Sequence, residues 1–90
     1  MEKQMFTIFD NVSKTYANPL IEVNNGTMMR GIMDMMQQNP SHPWAKFPDN
    51  YTLINIGTWN DEDGIPTFDK HTIVAELVAI KTPSDMIKEN

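Results

Sequence analysis

The sequence predicts an α+β fold, a small antiparallel sheet packed against one methionine-rich helix, with a short helix near the C-terminus. Three observations carry this. Residues 5–10 and 51–60 are rich in aromatic and β-branched side chains that alternate between two faces. Residues 27–38 place apolar side chains at helical spacing. No repeat or low-complexity tract interrupts these segments, so local strands and one helix are the available parts.

Element by element, Met5-Phe6-Thr7-Ile8-Phe9-Asp10 reads as a strand. Phe6 and Ile8 share one face, and Met5 and Phe9 share the other. Residues 11–15 read as a loop. Leu20-Ile21-Glu22-Val23 reads as a second short strand entered through Pro19, where no backbone donor is needed. In the helix, Met29, Ile32, Met33 and Met36 follow i, i+3, i+4, i+7, flanked by Met28 and Met35. Thr27 or Asn25 can accept its first free amides, and Asn39-Pro40 stops it. Pro40, Pro43 and Pro48 argue against regular structure over residues 39–50, while Trp44 and Phe47 pin that loop to the core. Residues 51–60 form the clearest strand. Asn60-Asp61-Glu62-Asp63-Gly64 is a turn, and Ile65 to Phe68 returns as the antiparallel partner. Ile73, Val74, Leu77, Val78 and Ile80 fit a short helix slightly better than a strand. Residues 1–82 are read as one domain and 83–90 as a frayed tail.

Composition narrows the function. A 90-residue chain is one domain and buries only roughly 60–65% of its unfolded surface. With no cysteine, disulfide scaffolds, Cys zinc sites and thiol nucleophiles are excluded, and a reducing cytosol is expected. Apolar runs are only a few residues long, against the ~20 that span a bilayer, so no membrane partner is expected. Neither a basic n-region nor an apolar h-region opens the chain, so no secretory signal is expected. The net charge is −5, and the seven cations Lys3, Lys14, Arg30, Lys46, Lys70, Lys81 and Lys88 are scattered singly. Charge alone therefore does not make a nucleic-acid coat, because such binders draw much of their affinity from phosphate neutralisation. A basic face assembled by folding remains open.

Catalytic and metal motifs fail on inspection. With Gly64 as the sixth residue of an EF-hand loop, the first would be Trp59 and the twelfth Lys70, and neither ligates calcium. His42 and His71 stand 29 positions apart, outside any metal-ligand spacing, and both read as surface or loop residues. There is no G-x-S-x-G, and the four glycines are isolated, so no phosphate-cradling loop exists. The expectation is a protein with no catalytic residue, no metal and no cofactor.

Binding surfaces are better supplied. Five methionines and one isoleucine between residues 28 and 36 exceed what one helix face can bury. Met28 and Met35 are therefore expected to face a protein partner or a second copy of the chain. Tyr16, Trp44, Phe47, Tyr51 and Trp59 could stack unpaired bases, with Lys14, Arg30 and Lys46 supplying charge. Tyr16 and Trp59 are the rings most expected to stand outside the core. The candidate nucleic-acid-binding set is thus Lys14, Tyr16, Arg30, Trp44, Lys46 and Trp59.

The order of segments resembles a known family. Its marks are Phe6-Thr7-Ile8-Phe9-Asp10 followed by Lys14, Tyr16 and Asn18-Pro19, then Asn24, and Arg30 ahead of Asn39-Pro40. The most specific piece is Phe47-Pro48-Asp49-Asn50-Tyr51-Thr52-Leu53 running into Ile56-Gly57-Thr58-Trp59, an acidic turn and Gly64. Together these resemble the small non-structural, protein C-like proteins of gokushoviruses, single-stranded DNA microviruses of bacteria, over about residues 5 to 80. The resemblance implies a factor that associates with single-stranded DNA or the viral replication complex in the host cytoplasm. It would compete with host single-strand-binding protein and favour single-stranded genome synthesis and packaging. It carries over no catalytic residues. Two further readings stand beside it: an adaptor on the replication initiator or a host replication protein, and a minor structural component of the particle.

Overall fold

The computed structural model describes residues 1–81. Its centre is the antiparallel pair β1 (Glu2–Asp10) and β4 (Tyr51–Asn60), in register from Glu2 opposite Asn60 to Asp10 opposite Tyr51. β5 (Ile65–Glu76) pairs with the outer edge of β4. The other edge of β1 is shared by two short strands, β2 (Thr15–Tyr16) against Phe9 and Asp10, and β3 (Leu20–Glu22) against Gln4 to Phe6. The order is β2-β1-β4-β5, with β3 beside β1. α1 (Asn25–Gln38), α2 (Pro43–Lys46) and α3 (Leu77–Lys81) complete the fold, with a 3-10 turn at Pro48–Asn50. This is the expected α+β class. No helix among the described residues is long and apolar enough to cross a membrane.

Alternation along β1 sends its side chains to two different cores. Phe6 and Ile8, with Leu53 of β4, lie under the helices beside Met28, Ile32, Met36, Ala45, Leu77 and Ile80. Met5, with Ile54 and Ile56, forms a smaller cluster on the opposite face, flanked by Phe9 and Trp59. Residues Met5 to Ile8 are consequently buried without a break. The second face has no helix over it. Instead the Tyr16 ring from β2 rests on Phe9 at 4.7 Å and meets His71 of β5 edge-on at 5.7 Å. In a flat sheet those strands would lie three spacings apart, roughly 14 Å, so the outer strands close over this face. Register shifts supply the bend: Ile56 is an extra residue on β4, and β5 carries extra residues near Val74 and around Asp69 to His71.

Several elements differ from the sequence reading. β5 continues to Glu76, through residues whose spacing slightly favoured a helix; Ile73 and Ala75 pair with Ile54 and Leu53, and only Leu77–Lys81 turns helical. Cross-strand pairing outweighs a marginal helical period where the side chains are β-branched. The proline-rich loop contains a short helix, α2, because Pro43 occupies its first turn, where no donor is lost. The cap of α1 is Asn24, whose Oδ1 accepts from the Thr27 amide at 2.8 Å, rather than Asn25 or Thr27. The helix buries Met28, Ile32 and Met36, a strict i, i+4, i+8 line. Met28 is thus a core residue, and its expected place on a protein interface is corrected: methionines nearly all round the helix hide its phase, and packing against Phe6, Leu53, Leu77 and Ile80 sets it. Met35 is half-buried against the same core. The tail expected over residues 83–90 lies outside the described residues.

Two glycines separate by their surroundings. Gly57 has φ +150°, and a Cβ there would come within 2.0 Å of the Thr67 carbonyl oxygen. Gly31, exposed on α1, has nothing within 4 Å of its would-be Cβ. Gly57→Ala is expected to destabilise the fold by about 1–3 kcal/mol from backbone strain alone, with the clash adding to it. Gly31→Ala should stabilise it by about 0.5–1 kcal/mol. Urea unfolding followed by circular dichroism checks both, and equal midpoints for the two variants would contradict this reading.

Candidate functional site

The end of the sheet where β1 stops and β4 starts gathers most of the candidate side chains. There Asp10 closes β1 with an Asx turn: its Oδ1 accepts from the backbone N–H of Val12 at 2.8 Å and of Ser13 at 3.2 Å. The Lys14 N–H returns to the Asp10 carbonyl at 2.8 Å, and Lys14 takes a left-handed φ of 63° before β2 begins. Asn11 anchors the turn to the next segment, donating from its backbone and its side-chain amide to the Asn50 carbonyl at 2.8 and 3.0 Å. Thr15, Asp10 and Tyr51 are cross-strand partners and share the helix-side face.

α2 stands opposite this row. The His42 Nδ1 accepts from the Trp44 N–H at 3.1 Å and caps the helix. A neutral His42 ring therefore carries its proton on Nε2. Buried Ala45 fixes the helix to the core, and the Lys81 ammonium donates to the Ala45 carbonyl. His42 and Trp44 rings meet edge-on at 5.0 Å, and Trp44 lies 6.5 Å from Tyr51. Between α2 and the row lies a cavity of about 210 Å³, lined by Ile8, Asp10, Thr15, His42, Trp44 and Tyr51. Tyr16 borders it, with its ring turned to Phe9 and His71 on the other face.

The electrostatics follow from these bonds. The Val12 amide holds the Asp10 carboxyl below its ordinary range, partly offset by lost hydration, with Ser13 assisting. Burial pushes the Tyr51 phenol up, and the Asp10 charge adds to that. At neutral pH the cavity therefore holds an anionic carboxylate beside a neutral phenol. Lys46 projects from α2 with its ammonium 5.7 Å from the half-exposed Phe47 ring.

Of the six sequence candidates, Lys14, Tyr16, Trp44 and Lys46 belong to this end of the molecule. Arg30 and Trp59 do not. Trp59 is opposite Lys3, six residues along β1 from the Phe9–Tyr16 pair, or roughly 20 Å away. There it is half-buried against the second core. Arg30 lines a separate apolar groove of about 260 Å³ between α1 and α3, with Met29, Met33, Ala75, Ala79 and Ile80. Asp10 and His42 were missed as site residues. Asp at a strand end before Asn11-Val12-Ser13 is an Asx-turn signal that could have exposed the first; nothing local marks His42 beyond its place before Pro43. Among the described residues no group of three or more His, Asp or Glu could hold a metal ion.

Fold and site together define a small α+β protein with an aromatic cavity at one end of a curled sheet. Residues 3–82 match the family model described as Phage ORF5 protein, which is nearly the whole chain. The chain belongs to this phage protein family. No curated protein and no solved structure matches it.

The Asx turn has a pH signature. Asp10 has a folded-state value below its unfolded value of 3.8, so its contribution to stability is full above that pH and is lost as pH falls through the lower folded value. Asp10→Asn, which accepts the same two bonds without titrating, should show a shallower loss of stability below pH 4 than the parent. Thermal unfolding between pH 2.5 and 6 measures this, and parallel pH profiles would count against the turn's role.

Proposed function

We propose that this phage protein is a non-enzymatic binding factor of the microvirus type. It engages single-stranded DNA or the viral replication complex in the bacterial cytoplasm and shifts replication toward single-stranded genomes and their packaging. The observation that carries this reading is the gathering of Trp44, Phe47, His42 and Tyr51 at one end of the sheet, with Lys14 and Lys46 at its margins. Half-buried rings lining a cavity, with the half-exposed Phe47 and isolated cations beside them, suit bases that stack and phosphates that pass outside them. Membership of a phage family and the gokushovirus-like sequence order support the same reading.

At this place Asp10, Asp49 and Glu76 are matched in number by Lys14, Lys46 and Lys81, so the acid excess lies elsewhere. Asp61, Glu62 and Asp63 occupy the β4–β5 turn at the far end, where Asp61 pairs with the Met1 ammonium at 2.6 Å and faces the Lys3 ammonium at 3.8 Å. Nine residues of β1 separate the two ends, roughly 30 Å, and screening acts over about 8 Å at physiological salt.

A mixed-sequence single strand tests the reading through its two tryptophans. Trp59→Phe, which keeps Trp44, should show quenching on titration; Trp44→Phe, which keeps Trp59, should not. Affinity should fall with salt, by a log–log slope of roughly 0.7 for each phosphate neutralised, and Lys14→Ala or Lys46→Ala should make that slope shallower. A flat titration at low salt would remove direct DNA contact.

The apolar groove beside Arg30 favours a second reading, an adaptor that docks on the replication initiator. Among the described residues Arg30 makes no ion pair, and Ala79 is exposed at the groove's edge. Under this reading Ala79→Glu abolishes binding to purified initiator while leaving the circular dichroism spectrum intact. Retained binding would dismiss the groove.

A further inference from the structure

The cavity between α2 and the Thr15–Asp10–Tyr51 row has a more specific chemistry than general stacking. We propose that it takes one unstacked, amino-bearing base of a single strand, cytosine foremost, with Asp10 as the acceptor that reads the amino group. This rests on the single-strand reading above and names the ligand of the same site.

Size is the first argument. About 210 Å³ is below the roughly 300–1,000 Å³ of sites that enclose drug-sized ligands. Such a space takes one planar ring system and leaves sugar and phosphate outside. A single-ring base fits more readily than a purine.

The walls are the second. Trp44, His42 and Tyr51 line the space with aromatic rings, together with Ile8. Stacking on such walls holds any base, so by itself it does not discriminate. Lys14, in the turn before β2, and Lys46, in the last turn of α2, make no ion pair among the described residues. Both remain free to meet the phosphates on either side of a captured nucleotide.

The third argument is the carboxylate. Both turn amides use Asp10 Oδ1 and no hydrogen bond of ordinary length falls on Oδ2 among the described residues, while the Ser13 hydroxyl adds a weaker pull on the carboxylate. The backbone amides hold the group in place, so one anionic oxygen is left to accept. Cytosine offers the N4 amino group as a donor there, the pairing by which acidic side chains recognise that base. Thymine places O4 at the equivalent position, and two acceptors would then face each other across a partly dehydrated gap.

Equal-length oligo-dC and oligo-dT, titrated into the full chain carrying Trp59→Phe, decide the matter by Trp44 fluorescence. Oligo-dC should bind on the order of tenfold more tightly. Adding Asp10→Asn, which keeps the turn but puts an amide donor in place of the anionic oxygen, should bring the ratio to one or below, because the amide N–H opposes cytosine N4 and can donate to thymine O4. A second measurement needs no Asp10 variant: dCMP should shift the Trp44 indole N–H resonance of the native chain at about tenfold lower concentration than dTMP. Equal affinity for both oligonucleotides, or a preference that survives Asp10→Asn, overturns the base assignment while leaving single-strand binding standing. Failure of both oligonucleotides to bind overturns the two together.

Discussion

The antiparallel pairing of β1 with β4 is the contact on which the rest of the molecule depends. It sets Phe6 and Ile8 beside Leu53, all essentially inaccessible to water, and gives α1 and α3 a surface on which to bury Ile32, Met36, Leu77 and Ile80. The same ladder turns Met5, Ile54 and Ile56 to the opposite face. A thin chain thereby obtains two apolar clusters from one pair of strands, because successive side chains must point opposite ways. Truncating Leu53 to Ala would remove packing that in comparable cores costs about 2–5 kcal/mol.

The second face shows how a small protein manages apolar surface without another helix. Its edges are brought together by bulges, and the meeting of Tyr16 with His71 closes over the cluster from its two margins. β5, one free edge of the sheet, also carries Pro66, Lys70 and the displaced segment around Asp69 to His71. Prolines, charges and bulges are features that discourage edge-to-edge aggregation. One set of irregularities therefore serves both curvature and solubility.

Charge is arranged along the long dimension of the molecule. The acidic turn is tied down by the Met1 ammonium and Lys3 at one end, while Asp10, Asp49 and Glu76 sit with Lys14, Lys46 and Lys81 at the other. A net charge of −5 thus describes the whole chain and says little about the aromatic end, since the two ends are separated by several screening lengths. The Asx turn at Asp10 links structure to recognition there. One carboxylate oxygen takes the turn amides that stop the strand, and the same side chain lines the cavity.

Alternation over residues 5–10 and 51–60, helical spacing over 27–38 and the glycine-ended acidic turn made the α+β class legible, since each is a local pattern with a local physical cause. Lys14, Tyr16, Trp44 and Lys46 were legible as residue types that bind, but not as neighbours. Met28 was misplaced because methionines nearly surround α1, and Arg30 and Trp59 were grouped with a site they do not join. By itself the sequence determined the class of fold, the absence of cysteine chemistry and the stock of rings and cations. Only the tertiary structure decided the phase of α1, the length of β5 and which rings surround Asp10. Those outcomes depend on pairing and burial between segments distant along the chain, and no local period records them.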